Sequence, residues 1–309
     1  MNEKIAEIII VNWNTCQLLD NCLNSVFRNC NGLLFPYSVT VVDNASTDNS
    51  VSMVQNKYKD VKIIRNIKNE GFAKANNRAI KESSAKYLWL LNSDTILNED
   101  VLSLGCKHLE EHENVAIAGC HLVLQDGTRQ GGDSGYKPGI KTAFNFAFFL
   151  SMIFPDNFRG LFHNGKAVEE FKEVDWVSGA ALFVKMEFIK KCGLLTEQFF
   201  MYAEDTEFGI RARKNGWSVH YLPNLKVTHL VGASSKNEGI STSSLECIGK
   251  LIRNEHSSLY LKVFWLIMFM GYLLRFLCCK ILPNENGKKR KMYKEYMKKS
   301  FILIFEAKK

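Results

Sequence analysis

The stretch YLWLLNSDTIL, residues 87–97, decides the fold. Tyr87 to Leu91 form an unbroken apolar run, as in a strand buried on both faces of a sheet. The run ends abruptly on Asn92-Ser93-Asp94. Alone, these three read as turn or capping residues before the helix that Asn98 and Asp100 begin. Whether they do more depends on what the other strands carry at the same edge.

Upstream, Ile8–Val11 is a second continuous apolar run. Leu18/Leu19, Cys22/Leu23 and Val26/Phe27 recur at helical spacing. Tyr37–Asp43 and Val61–Arg65 read as strands, each followed by a helix. One helix lies in STDNSVSMVQNKY with Asp48 as its cap, the other over Gly71–Ser83. Strands alternating with helices predict βαβ units and a mainly parallel sheet. Downstream, Val115–Val123 and Trp176–Lys185 read as strands, and 187–192 and 204–215 as helices. WSVHYLP and KVTHLV read as two closing strands. Asp126–Gly139 is Gly-rich and expected to be a mobile loop. Ala143–Phe154 is apolar; a helix on a membrane or partner and a core helix are both open.

The 309 residues include nine cysteines with no CxxC pair, so neither a disulfide framework nor a zinc-ligand spacing is present. MNEKIAEIII is too short an apolar start for a signal peptide and lacks a cleavage-like site. Both features predict a body in the reducing cytosol. The formal charge of +8 is unevenly placed. Residues 259–309 carry 12 Lys/Arg against 3 Asp/Glu, whereas the first 258 carry 28 against 29. A neutral body argues against nucleic-acid binding, and a basic tail argues for an anionic membrane surface as partner.

In open α/β sheets ligands bind at the carboxyl ends of strands. Here those ends read Asn12-Trp13-Asn14, Asp43-Asn44, Asn69-Glu70-Gly71 and Asn92-Ser93-Asp94. Four polar ends on one edge make a site for a polar ligand. GxGxxG and Walker A motifs are absent, which disfavours a nicotinamide enzyme or an NTPase. VDNASTDNS, NEGFAKANNRAI, LLNSDTIL, VSGAALFVK and YAEDTEFGIRARKNGW, in that order, resemble the family 2 inverting glycosyltransferases of GT-A fold. The match is closest to the rhamnosyltransferase-like branch, which begins VNWN, and it covers roughly residues 5–235.

That resemblance implies roles. Asp43 contacts the nucleoside of a nucleotide-sugar donor, with Asn12 and Trp13 flanking the base; for Trp13 a core position is equally open. Asn92-Ser93-Asp94 stands for the family's Asp-x-Asp motif, with Asp94 ligating Mg²⁺ or Mn²⁺ through a hard oxygen. Asn92 replaces the usual first Asp and removes one negative charge. His229, ahead of a Gly-Ala-Ser loop, completes the metal site. Asp205 is the general base, and Glu204 binds or orients the acceptor. Gly179 lets backbone approach the donor, and Arg78 meets diphosphate or is simply solvated. Arg211 pairs internally or meets phosphate.

The expected organisation is a GT-A domain over 1–240 and a helical, membrane-associating region over 241–309. Val263–Leu274 is apolar for twelve residues but flanked by charge, which predicts an amphipathic or monotopic helix with snorkelling cations. A single span over 259–282 and a soluble packing helix are the alternatives. The function implied is transfer of a sugar, rhamnose first, to a glycan or lipid-linked acceptor at the cytoplasmic face of the membrane. A UDP-hexose or UDP-galactofuranose donor is the alternative. A sugar nucleotidyltransferase normally carries a Gly-rich basic loop where NWNTCQ stands. A non-catalytic relic is opposed by Glu204-Asp205 and favoured by Asn92.

Overall fold

The structure is a computed structural model and describes residues 5–30, 34–163, 171–230, 241–281 and 287–307. In chain order the elements begin β1 Ala6–Asn12, α1 Cys16–Asn29, β2 Tyr37–Asp43, α2 Ser50–Lys57, β3 Lys62–Arg65, α3 Phe72–Glu82 and β4 Tyr87–Asn92. There follow β5 Thr95–Leu97, α4 Val101–Glu111, β6 Val115–Val123, β7 Ser134–Gly135, α5 Ile140–Ala147 and α6 Leu150–Ile153. Then come β8 Lys172–Val174, β9 Trp176–Val177, β10 Ala181–Lys185, α7 Met186–Cys192, α8 Glu204–Lys214 and β11 Ser218–His229. The chain closes with α9 Ser243–Arg253, α10 Ser258–Ile281 and α11 Gly287–Glu306.

Contacts divide the chain into two units, Met1–Ser134 with Glu169–Lys236 and Gly135–Val168 with Asn237–Lys309. This differs from a boundary at 240: the segment holding α5 and α6 groups with the C-terminal helices.

The first unit is built on a nine-stranded mixed sheet of order β3-β2-β1-β4-β10-β6-β11-β5, with β8 added beside β11. β3, β2, β1 and β4 are mutually parallel, as βαβ alternation requires. Their register sets Asn12 opposite Asp43, Val11 opposite Asn92, and Asp43 opposite Arg65, so the polar strand ends form one level edge. β10 joins antiparallel to β4, stacking Phe183 on Trp89 at 4.6 Å between ring centres. The two closing strands expected from sequence are one: β11 runs through Pro223 with an irregularity between Leu222 and Lys226.

The stretch from Asp126 is not a free loop as far as Ser134. Leu124 N–H donates to Thr128 O at 2.7 Å and Gln130 N–H to Leu122 O at 2.9 Å, closing a hairpin on β6. Arg129 and the fully buried Asp133 form an ion pair at 2.5 Å, and Ser178 N–H donates to Asp133 O at 2.8 Å. The charge pairing holds a Gly-rich segment that composition alone would leave loose.

The second unit has its own core of Ala143, Phe146, Leu161, Phe264, Trp265, Met268, Tyr272 and Leu303. The apolar run at 143–154 is two helices, broken where Phe149 takes φ +60°. Its Phe146 and Ala147 are buried while Phe144 and Phe148 are exposed, so it is neither a wholly buried helix nor a wholly exposed one. Ser258–Cys279 of α10 is long and apolar enough to cross a membrane.

Candidate active site

The site is assembled along the level strand edge. Asn12, 1% exposed, is its hub. Its Nδ2 donates to Asp43 Oδ1 at 3.3 Å and to Ser46 Oγ at 3.1 Å, and its Oδ1 accepts from Thr15 Oγ1 at 2.6 Å. Ser46 N–H also donates to Asp43 Oδ2 at 3.1 Å. One lone pair on each Asp43 oxygen is thereby used, leaving the other for a ligand hydroxyl or N–H. Trp13, next along the chain, is 50% exposed, so it is not core. Asn14 (φ +55°) and Ala45 (φ +64°) take left-handed backbone in the two turns that frame it. The N-cap of α2 is Asn49 rather than Asp48; Asp48 Oδ1 accepts from Ser50 N–H and its other oxygen from Cys16 N–H, both at 3.0 Å.

From Thr15 the chain of bonds continues to Ser93 Oγ at 3.0 Å, and so into the 92–94 turn. Pairing of His229 with Thr95 across β11 and β5 carries the imidazole to that turn. His229 Nε2 lies 3.1 Å from Asp94 Oδ1 and 3.5 Å from Asn92 Nδ2. His229 Nδ1 lies 2.7 Å from Gln130 Oε1. A proton on Nδ1 would meet that oxygen and turn the Nε2 lone pair toward Asp94. Two acceptors facing each other at this distance call for a cation or a proton between them. The Asp94 carboxylate is the hard oxygen ligand that Mg²⁺ or Mn²⁺ would take there, and the imidazole would add a nitrogen. Among the described residues no third His, Cys, Asp or Glu joins them, and the remaining neighbour is the Asn92 amide. Residues 231–240, which hold the Gly-Ala-Ser loop, lie outside the described residues.

Asn92 N–H donates to Ala180 O at 2.9 Å, linking the turn to the 178–180 segment. Gly179 N–H then donates to Asp205 Oδ2 at 2.9 Å. A Cβ at Gly179 would sit 3.1 Å from the Phe72 ring and 3.7 Å from Asp205 Cβ, so only glycine fits this approach without displacement. Asp205 Oδ1 accepts from Thr206 N–H at 2.7 Å. Just before the pair, Tyr202 (φ +72°) and Ala203 (φ +69°) both take left-handed backbone, a strain found at functional sites.

The two acids differ in setting. Asp205 is half-buried and has a donor on each carboxylate oxygen, whereas Glu204 is 4% exposed. Glu204 Oε2 is buried with no hydrogen-bond partner among the described residues. Burial, then the neighbouring Asp205 charge, pushes the Glu204 carboxyl up to about 8. Desolvation raises Asp205 as well, opposed by the Gly179 and Thr206 donors. Asp205 has two donors to hold its charge, whereas the orphan oxygen of Glu204 has none, which favours the neutral form of Glu204.

Two arginines find their partners within the protein. Arg78 lies at the far side of the edge, donating to Asn66 Oδ1, 3.9 Å from Glu70, and among the described residues it meets no other candidate. Arg211 is internal: it pairs with Glu207 at 2.8 Å and donates to Cys192 O and Leu194 O at 2.6 and 2.7 Å. Thr15 and Gln130, which carry no sequence signal, and Ser46, within the VDNASTDNS stretch, tie the site together. Asn44 joins Asn66 and Asn69 in a further buried amide network at 2.8 and 2.9 Å.

The profile of glycosyl transferase family 2 matches residues 7–165, and that of glycosyl transferase family group 2 matches residues 87–282. The chain belongs to glycosyl transferase family 2. This family 2 glycosyltransferase is 27% identical over 247 residues to the dTDP-rhamnosyl transferase RfbF of Shigella flexneri, covering 76% of this chain and 72% of the relative. It is 24% identical over 216 residues to the N-acetylglucosaminyl-diphospho-decaprenol L-rhamnosyltransferase of Mycobacterium tuberculosis, covering 63% and 66%. Its fold is GT-A-like. The mannosyltransferase PcManGT from Pyrobaculum calidifontis, solved with GDP-Man and Mn²⁺, superposes with a TM-score of 0.63 at 14% identity, over 99% of this chain and 88% of that one.

Proposed function

We propose that this glycosyltransferase inverts the configuration of a sugar as it moves it from a nucleoside diphosphate to a hydroxyl of a glycan or lipid-linked acceptor. Rhamnose is the sugar we assign, on the two rhamnosyltransferase relatives. The observation that carries the reading is the unbroken bonded path Asp43–Asn12–Thr15–Ser93, then Asn92–Ala180–Gly179–Asp205. It ties a nucleoside-binding end rigidly to the Asp205 carboxylate. Asp43 holds nucleoside hydroxyls or N–H groups, and the exposed Trp13 offers a face to the base. Asp94 and His229, with Asn92, are the residues that would hold Mg²⁺ or Mn²⁺. The cation, when bound, offsets charge on the departing diphosphate. Asp205 accepts the acceptor's hydroxyl proton as that oxygen attacks from the face opposite the leaving group. Gly179 N–H aims the carboxylate, and protonated Glu204 keeps a second negative charge away from it.

The workplace we propose is the cytoplasmic face of a membrane. The basic C-terminal segment and the apolar α10 support it. The test is a panel of nucleotide sugars, dTDP-rhamnose, UDP-hexoses and UDP-galactofuranose among them, assayed for release of nucleoside diphosphate with the anomeric configuration of the product read by NMR. A retained configuration, or no turnover of any donor, defeats the proposal.

A further inference from the structure

α10 and α11 lie antiparallel in the second unit. Ser258 Oγ donates to Ala307 O, Phe269 packs tilted against Phe301 at 5.7 Å, Tyr272 meets Tyr296 at 5.3 Å, and Arg290 covers Phe276. The inner face of α10 is committed to this packing. Arg275 is buried there and donates to Phe146 O, Ala147 O and Gly271 O at 2.5, 3.2 and 3.1 Å.

The outer face of α10 is different. Leu259, Val263, Leu266, Met270 and Leu277 are exposed, and their spacing of four, three, four and seven keeps them on one stripe. α11 carries a matching stripe at Lys291, Lys294, Lys298, Phe301 and Phe305, all exposed. That stripe is basic for its first turns and aromatic for its last. The Phe269–Phe301–Phe305 contacts, at 5.7 and 5.1 Å, join the aromatic end to the middle of α10. Lys298 is partly neutralised by Glu295 at 3.0 Å.

We infer that this outer face is a docking surface for an anionic lipid bilayer, with both helices lying in the plane of the interface and neither crossing it. Exposed apolar side chains and aligned lysines are the two signals that stable surface attachment needs. A crossing α10 is opposed by its partner: at its 272–276 end it lies along the lysine-rich turns of α11, which would be drawn into hydrocarbon. The inference deepens the membrane-surface part of the proposed function and is independent of its chemistry.

The test is co-sedimentation of the full chain with phosphatidylcholine vesicles, with and without about a quarter phosphatidylglycerol, at low and high salt. Sedimentation with the anionic vesicles alone, released by high salt, is the expected result. Lys291→Glu, Lys294→Glu and Lys298→Glu together should weaken it by about 100-fold or more. Phe301→Glu with Phe305→Glu should abolish it, and circular dichroism would confirm that each variant folds. Equal sedimentation with neutral vesicles, none with anionic ones, or indifference to the charge reversals overturns the inference. Retention through both high salt and alkaline carbonate overturns it in favour of a span. Light scattering that shows a dimer broken by the Phe301→Glu and Phe305→Glu pair overturns it in favour of self-association. Donor turnover is read without vesicles, so failure of docking and failure of the chemistry are seen separately.

Discussion

Replacing Asp205 by Asn keeps the size and shape of the group and removes its ability to take a proton. Two costs follow, and they fall on different measurements. The carboxylate accepts from Gly179 N–H at 2.9 Å and from Thr206 N–H at 2.7 Å, one donor on each oxygen. An amide satisfies one of these and presents its own N–H to the other, which costs about 1–3 kcal/mol of stability for a buried donor left unmet. General-base loss removes about 10²- to 10⁴-fold in kcat, or about 3–5 kcal/mol of barrier. Nucleoside diphosphate affinity should hold, because Asp43, Asn12 and Trp13 are untouched. The comparison is Glu204→Gln, the neutral shape that a protonated Glu204 already has, for which kcat should fall less than about tenfold. The assay is kcat at saturating donor, with calorimetric binding of the nucleoside diphosphate and a thermal melt for each variant. If Asp205→Asn stays within tenfold of the parent while Glu204→Gln loses the larger factor, the roles of the two acids are reversed and the reasoning from their donors is wrong.

Glu204 also sets a pH dependence: its folded value lies above its ordinary one, so its contribution to stability is whole below about 4.5 and is lost as pH rises toward about 8. Melts across that window should decline with pH and flatten in Glu204→Gln; an unchanged slope would show Glu204 ionised throughout. Mn²⁺ should bind the parent and lose affinity by about tenfold or more in Asp94→Ala or His229→Ala, read by calorimetry without any substrate, and equal binding by all three returns residues 92–94 to turn chemistry. Gly179→Ala forces a methyl against the Phe72 ring, 3.1 Å away, and should destabilise by about 1–3 kcal/mol. It should lower kcat more than donor affinity, and wild-type kcat would show that Asp205 is aimed by something else. Arg275→Met removes three donors from Phe146 O, Ala147 O and Gly271 O and should cost about 3 kcal/mol or more; a neutral melt would mean that water replaces the guanidinium.

The C-terminal helices are not a removable tail. Gly271 lies so close that an added Cβ would be 2.8 Å from Ala147, and Phe146 packs at 6.0 Å on Tyr272. Ending the chain near Ser258 would strip the buried face of α5. The charge balance located the basic segment correctly, yet charge is additive along a chain and says nothing of which distant apolar face closes on which.

What the sequence determined by itself is local. Apolar runs of strand length, helical recurrence, and polar residues at strand ends gave the βαβ half, its parallel pairing and the edge on which Asn12, Asp43, Asn92 and Asp94 stand. These follow from backbone periodicity and burial, which act within a few residues. Tertiary structure decided the rest. His229 is 135 residues from Asp94 and reaches it only through the β11–β5 register. Gln130, in a stretch that composition marks as loose, becomes the partner of His229 because a hairpin folds it back on β6. Exposure, which separates Trp13 from the core and Asp205 from Glu204, belongs to no residue alone. It is set by which surfaces the packed chain leaves in water, a balance struck over the whole fold.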